Sequence, residues 1–328
     1  MAALLTVEGL SVSLPGPEGP LTIVDGVSYS VEPGTVFGVA GESGSGKTMS
    51  ALALLGLLPL GATVEGTAMY DKRNLLALSK RELRDVRGRE IAMVFQDPLT
   101  SLHPMMSIGR QLSEHMRRHL GLSRQAARRR AGELLGDVRI PDPTGALNAF
   151  PHQFSGGIRQ RIAIAMALAC EPKLLIADEP TTALDVTVQA GILRLLDDLR
   201  ERMGLSVILI THDLGVMSSI AETISVFYAG RVVEQGASSG VLRAPRHPYT
   251  KALLAALPHP ETNGSAPLVS IPGSPPAAGH FPSGCSFHPR CAYAIESCTT
   301  DEPPLIERDG RRFACPVDPF RDVLLERV

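Results

Sequence analysis

Gly41-Glu42-Ser43-Gly44-Ser45-Gly46-Lys47-Thr48 follows the apolar run Val36-Phe37-Gly38-Val39-Ala40 and precedes Met49 to Leu58, a stretch that predicts a helix. It fits G-x-x-x-x-G-K-[ST] in the setting that gives the pattern meaning, a strand before and a helix after. Three glycines let the backbone curl so that successive N–H groups point inward, and the helix adds the positive end of its dipole. The result is a socket for polyphosphate. Lys47 is suited to the β- and γ-phosphates and the Thr48 hydroxyl to Mg²⁺. A chance glycine-rich turn would lack the flanking strand and helix.

Outward from the socket, Leu4 to Leu14 and Ile23 to Val31 read as strands around a Pro15-to-Pro20 turn, and Pro33-Gly34 turns the chain into the strand that feeds the loop. Gly66 to Leu75 reads as another strand with a turn at Asp71-Lys72-Arg73, and Leu83 to Arg89 as a charged helix or loop. Ile91 to Phe95 is a short buried strand ending at Gln96. Residues 97–151 change character: Ile108 to Met116 and Arg124 to Leu135 carry helical patterning, and Arg128-Arg129-Arg130 reads as a solvated helix face. After this helical insert come a helix over Ile158 to Ala169, a strand over Leu174 to Ala177, a helix over Val188 to Met203, a strand over Ser206 to Ile210 and a hairpin-like pair over Thr223 to Gln235. Short apolar strands separated by helices imply an α/β fold with a largely parallel sheet covered on both faces. Phosphate chemistry then belongs at the carboxyl ends of the strands. A helix over Pro248 to Leu257 is bracketed by prolines, with Pro258-His259-Pro260 closing it. Residues 261–328 read as an appended region with little regular structure, held by something other than a core.

Composition narrows the class. At 328 residues the chain has room for two domains at about 100–200 residues each. Thirty-two basic against thirty-four acidic residues leave a net charge of −2, which is not the basic footprint of a nucleic-acid binder. The N-terminus lacks the layout of a secretion signal. Ala51 to Val64, the longest apolar run, is interrupted by Gly56, Pro59 and Gly61 and falls short of the ~20 residues that span a bilayer. The expectation is a protein on the cytoplasmic side that meets the membrane only through a partner.

Leu174-Leu175-Ile176-Ala177-Asp178-Glu179 sets two carboxylates at the end of a buried strand. A metal–ATP enzyme needs one carboxylate to hold Mg²⁺ and a second to orient or deprotonate the attacking water, roles that suit Asp178 and Glu179. An apolar run ending in Asp-Glu is by itself an ordinary strand end, and the upstream socket is what makes it chemical. Ser155-Gly156-Gly157 at a helix start is a second anion site by the same N–H and dipole logic. One ATP needs one cradle, so a second suggests a nucleotide held by another subunit. His212, in Thr211-His212-Asp213 after a buried strand, is placed to touch a γ-phosphate. The Gln96 amide is placed to touch Mg²⁺ or the water.

With these residues in order, the chain resembles the ATP-binding subunits of ABC transporters. The resemblance covers the loop at 41–48, the glutamine at Gln96, the signature at 154–160, Asp178-Glu179, the D-loop Ala183-Leu184-Asp185 and the switch histidine His212. It implies an α/β P-loop ABC ATPase core over 1–96 and 152–236, a helical subdomain over 97–151 and a Cys-rich extension over 237–328. It also implies a dimer in which ATP is sandwiched between the phosphate loop of one subunit and the Ser-Gly-Gly of the other, with Asp185 among the nucleotide-site residues. Phe154 to Arg161, Arg246 to Pro258 and the cysteine-bearing end are similar to the oligopeptide, dipeptide and nickel importer branch. That branch implies a second, different ATPase subunit, two membrane permease subunits and an extracytoplasmic solute-binding protein, with no nucleic acid. Two positions depart from the family: Ile158 stands where many members have glutamine, and Leu14 where an aromatic stacks on adenine. An ATP-driven clamp outside transport, or a P-loop kinase or GTPase, would share the socket, but the second cradle and His212 argue against the latter.

Cys285, Cys291, Cys298 and Cys315 give C-x5-C-x6-C-x16-C within the last 44 residues. Disulfides do not suit a cytosolic chain, and zinc favours closer pairs. Four thiolates suit an iron–sulfur cube. Some members of the branch are similar in carrying a [4Fe–4S] cluster there; zinc and four free thiols stay open. Cys170 reads as a buried small hydrophobe.

Overall fold

The computed structural model describes residues 2–97, 101–182, 184–257 and 270–317. Pro258-His259-Pro260 and Ala183 of the D-loop lie outside them. The described residues form two compact units, one of Met1–Val31, Val36–Ala77 and Thr211–Val328, the other of Glu32–Thr35 and Leu78–Ile210.

In the first unit, Leu5–Gly16 pairs antiparallel with Gly19–Val31 on one edge and with Thr63–Tyr70 on the other. Leu5, Val7, Leu10 and Val12 are buried. The step from odd to even positions falls where the register shifts between Val7 and Leu10, and Gly9 there has φ +59°. That bulge keeps the apolar face inward across the irregularity. The turn expected at Asp71-Lys72-Arg73 is made by left-handed Asp71 and Lys72, which separate Thr63–Tyr70 from the short Arg73–Asn74.

A second set of strands in this unit begins with Val36–Ala40, buried at all five positions and parallel to Thr223–Tyr228. Thr223–Tyr228 turns through Ala229 and Gly230 into the antiparallel Arg231–Ala237. The tail departs from its sequence reading here. Ile306–Arg308 and Arg311–Phe313 form a hairpin, and its second strand pairs with Glu234 and Gln235. Nor is the tail without a core: Phe287 and Phe313 are 2% and 3% exposed. The Phe287 ring lies 5.2 Å from Tyr228 and 5.3 Å from Tyr249. A few aromatics suffice because each buries a large area against side chains from earlier in the chain.

In the second unit, Ile91–Val94, Leu174–Asp178 and Ser206–Thr211 run parallel with Leu174–Asp178 in the middle. Their near-continuous burial explains why the sequence shows apolar runs rather than alternation. Ile108–Leu120 buries Ile108, Leu112 and Met116 at four-residue spacing and ends at left-handed Gly121. Arg124–Asp137 starts at Ser123, whose hydroxyl accepts the Ala126 N–H. Arg130 pairs with Glu133 and Glu171, in keeping with a solvated face. Gly156–Leu168 and Val186–Met203 each start two residues earlier than their apolar periodicity suggests; Ser155 and Asp185 stand at the N-cap positions, and Asp185 caps its helix through its side chain. Among the described residues no helix is long and apolar enough to cross a membrane.

Candidate nucleotide site

The first unit carries the phosphate loop and His212. Gly41 has φ +148°, and a Cβ there would lie 2.3 Å from the Phe227 carbonyl oxygen. At Gly46, φ +97°, a Cβ would meet the Ile23 carbonyl oxygen at 2.9 Å, whereas at Gly44, φ +79°, it would meet open space. Two of the three glycines are therefore demanded by neighbouring backbone and the third by its dihedral alone. Lys47 is buried, and its ammonium donates to the carbonyls of Gly41 (2.7 Å) and Glu42 (2.8 Å). The helix Lys47–Leu54 has no acidic residue in its first turn, so nothing there opposes an anion at its N–H end. Ser43, Gly44 and Thr48 are exposed, and Ser45 is buried beneath them. His212 is exposed just beyond Ser206–Thr211, directly before Asp213, whose carboxylate accepts N–H groups from Gly215 and Val216 as a helix cap.

The second unit carries the rest. Asp178 is 3% exposed and closes the middle strand. Glu179 follows with φ +44°, a left-handed conformation that costs a non-glycine residue about 1–3 kcal/mol. The strain is held in place: its N–H donates to the Ile210 carbonyl at 2.9 Å, and its carbonyl accepts the Thr182 N–H. Its Oε2 accepts from Gln96 Nε2 at 2.9 Å and from the Thr182 hydroxyl at 2.8 Å. Gln96 and Glu179, 83 residues apart, are thus brought together. Ser155 is exposed at an N-cap where its side chain makes no capping hydrogen bond, and Gly156 after it is exposed as well. Gly157 abuts Val188, where a Cβ would lie 2.6 Å from Val188 Cγ1, so the starts of two helices meet. Asp185 is engaged as the cap of the second, accepting the Val188 N–H at 2.9 Å.

Three residues escaped sequence reading. Thr182 was marked only by its place three residues after Glu179. Tyr249 and Arg290, which bind Glu42, lie 207 and 248 residues from it and carry no motif that announces the contact.

Cys285, Cys291, Cys298 and Cys315 line one cavity of about 10 Å³ in the first unit, together with His247, Phe287 and His288. Burial raises the Cys285 and Cys291 thiols and pushes Cys315 up to about 12, with the neighbouring thiols adding to the effect. The donor set fits a soft metal group. The present spacing is not that of a formed site, since among the described residues no group of three or more His, Cys, Asp and Glu is arranged to hold a metal ion. Cys170 is buried, with its thiol toward the His115 carbonyl.

Comparison with known proteins agrees with this geometry. Residues 24–182 match the family described as ABC transporter, and 233–298 match the oligopeptide/dipeptide transporter, C-terminal region. The chain is 47% identical over 315 residues to the dipeptide transport ATP-binding protein DppD of Escherichia coli (strain K12), covering 95% of this chain and 96% of that protein. It is 46% identical over 306 residues to the oligopeptide transport ATP-binding protein OppD of Bacillus subtilis (strain 168), covering 93% and 86%. Among solved structures, the dimeric ATP-binding cassette MJ0796 in a post-hydrolysis state with ADP and Pi superimposes with a TM-score of 0.64 at 29% identity, over 71% of this chain and 98% of that one. The fold is the P-loop ABC ATPase fold, and the chain belongs to the ATP-binding proteins of the ABC transporter family, in the group that carries the oligopeptide/dipeptide transporter C-terminal region.

Proposed function

We propose that this chain binds and hydrolyses ATP as a subunit of an importer of di- or oligopeptides, peripheral on the cytoplasmic side of the cell membrane, and that closure of an ATP-bound dimer drives two permease subunits. The observation that carries the reading is 47% identity across 95% of the chain to a dipeptide transport ATP-binding protein, extension included. The second ATP-binding subunit is a different chain, and an extracytoplasmic solute-binding protein delivers the cargo. The chain divides into an ATPase core over 1–96 and 152–236, a helical subdomain over 97–151 and an extension over 237–328. An open cavity of about 600 Å³ in the helical subdomain, lined by exposed Met105 and Phe150, offers the permeases an apolar seat.

In the proposed mechanism, Lys47 leaves the carbonyls of Gly41 and Glu42 for the β- and γ-phosphates, while amides of Gly41 to Thr48 donate to phosphate oxygens. The Thr48 hydroxyl, Asp178 and the Gln96 amide oxygen would be the groups that hold Mg²⁺, which when bound would supply positive charge to the triphosphate. Glu179 accepts a hydrogen bond from the attacking water, its carboxylate fixed in orientation by Gln96 and Thr182. His212 donates to the γ-phosphate. Ser155, Gly156 and Gly157 donate to the γ-phosphate of the ATP held by the other subunit, with Asp185 at the same end of the chain's helices. In the extension, Cys285, Cys291, Cys298 and Cys315 would be the ligands of a [4Fe–4S] cluster with a structural role. What favours this reading is that folding gathers the four thiols at one place, although the cavity of about 10 Å³ between them would have to widen to admit a cluster; protein purified without oxygen should contain iron and sulfide, and stoichiometric zinc with no iron would end the cluster reading.

The test of the function is uptake of labelled di- and oligopeptides by cells that carry the complete importer. Lys47→Ala should abolish ATP-dependent uptake while permease levels stay constant. Uptake undiminished in that variant, or uptake of a nickel chelate in place of peptides, would overturn the reading.

A further inference from the structure

Glu42 occupies a variable position of the phosphate loop, and its side chain is an anion inside a socket for anions. Unpaired, a carboxylate there would repel a triphosphate. It is paired: Arg290, 5% exposed, donates from Nη1 to Glu42 Oε2 at 2.7 Å and from Nη2 to Oε1 at 3.0 Å, a two-pronged bond that a lysine cannot reproduce. The guanidinium is itself built in. Its Nε donates to the Pro272 carbonyl at 2.9 Å, and it lies 5.8 Å and 5.9 Å from the ring centres of Tyr228 and Phe287. The hydrogen bonds to Glu42 hold Arg290 firmly in its charged form.

The backbone of Glu42 is held from the same side. Its N–H donates to the Tyr249 hydroxyl at 2.8 Å, and Tyr249 is buried in the helix Pro248–Ala255 against Tyr228. Its carbonyl accepts from Lys47, the bond the lysine exchanges when it takes up phosphate. Two of the residues that fix Glu42 therefore come from beyond residue 237, outside any part of the chain that the phosphate-loop pattern covers.

We infer that Arg290 is a positioning residue for ATP: it neutralises the Glu42 carboxylate and turns it out of the phosphate cradle, so that affinity for ATP depends on the C-terminal extension. This rests on the phosphate loop being the ATP site. Replacing Arg290 frees an acidic side chain at the cradle, and the harm then comes from Glu42 rather than from lost packing. Neutralising Glu42 in the same chain must undo it.

The experiment measures ATP affinity of the full chain and KM against kcat of the assembled transporter. Arg290→Met should raise Kd and KM about ten-fold, within the range of site-to-site couplings, with kcat changed less than about two-fold. Adding Glu42→Gln to that variant should bring Kd back to within about three-fold of the unaltered chain, a rescue that lost packing would not allow. An unchanged Kd in Arg290→Met, or no rescue by Glu42→Gln, overturns the inference. Arg290→Gln, which keeps donors and drops the charge, is read in the same way if Arg290→Met does not fold. Lys47→Ala separates the two levels: if it binds ATP normally the site assignment fails, whereas lost binding there with an unchanged Arg290→Met refutes the role of Arg290 alone.

Discussion

At the scale of single residues, the loop glycines are not equivalent. Gly41→Ala drives a methyl group against the Phe227 carbonyl, a backbone atom that cannot swing aside, while Gly44→Ala meets nothing and bears only a left-handed dihedral. Gly41→Ala is expected to abolish ATP binding and to destabilise the fold by about 1–3 kcal/mol, and Gly44→Ala to cost about 1–2 kcal/mol at most. Nucleotide titration with thermal melting distinguishes the pair, and equal losses would contradict the geometry. The motif itself was legible because its requirements are local: a strand, a curl, a lysine, a helix. Why Gly41 must be glycine was not, since the obstructing carbonyl comes from a strand nearly two hundred residues later. The same holds for Glu42 and Arg290, whose contact depends on tertiary packing rather than spacing.

At the scale of elements, the helix Pro248–Ala255 carries a titratable cap. His247 Nδ1 accepts the Tyr249 N–H at 3.1 Å, which requires an unprotonated nitrogen, and its own backbone N–H donates to the buried Glu234 carboxylate. Burial lowers its pKa from 6.5 to about 3. The neutral ring therefore contributes stability that is present above pH 6.5 and is lost as pH falls toward 3, on the order of 4 kcal/mol across that span. His247→Asn, which keeps a cap acceptor, should flatten the melting temperature between pH 6.5 and 3; an unchanged acid slope would contradict the assignment. Caps also mark the limit of reading elements from sequence. Apolar periodicity located the helices, but their first turns begin two residues earlier, and in the second of them the Asp185 carboxylate caps that turn. The hairpin at 306–313 stayed hidden because Ile306, Glu307 and Arg308 are exposed and the pair draws its order from Glu234 and Gln235.

At the scale of the whole molecule, one chain carries a phosphate loop in one compact unit and a Ser-Gly-Gly helix start in the other. The proposed mechanism accounts for the two by a partner that completes each site. The two motifs themselves were legible from residue order, because each is contiguous. The four cysteines were legible as a group of thiols but not as a place, since only folding gathers Cys285 to Cys315. The most direct test follows phosphate release and mass by light scattering for the Glu179→Gln chain, alone and with any ATP-binding subunit found to co-purify with it. With Mg²⁺ and ATP the variant should form a lasting two-subunit species holding unhydrolysed ATP, with hydrolysis reduced at least about a hundred-fold. A species that stays single and releases phosphate at the rate of the unaltered chain would contradict it.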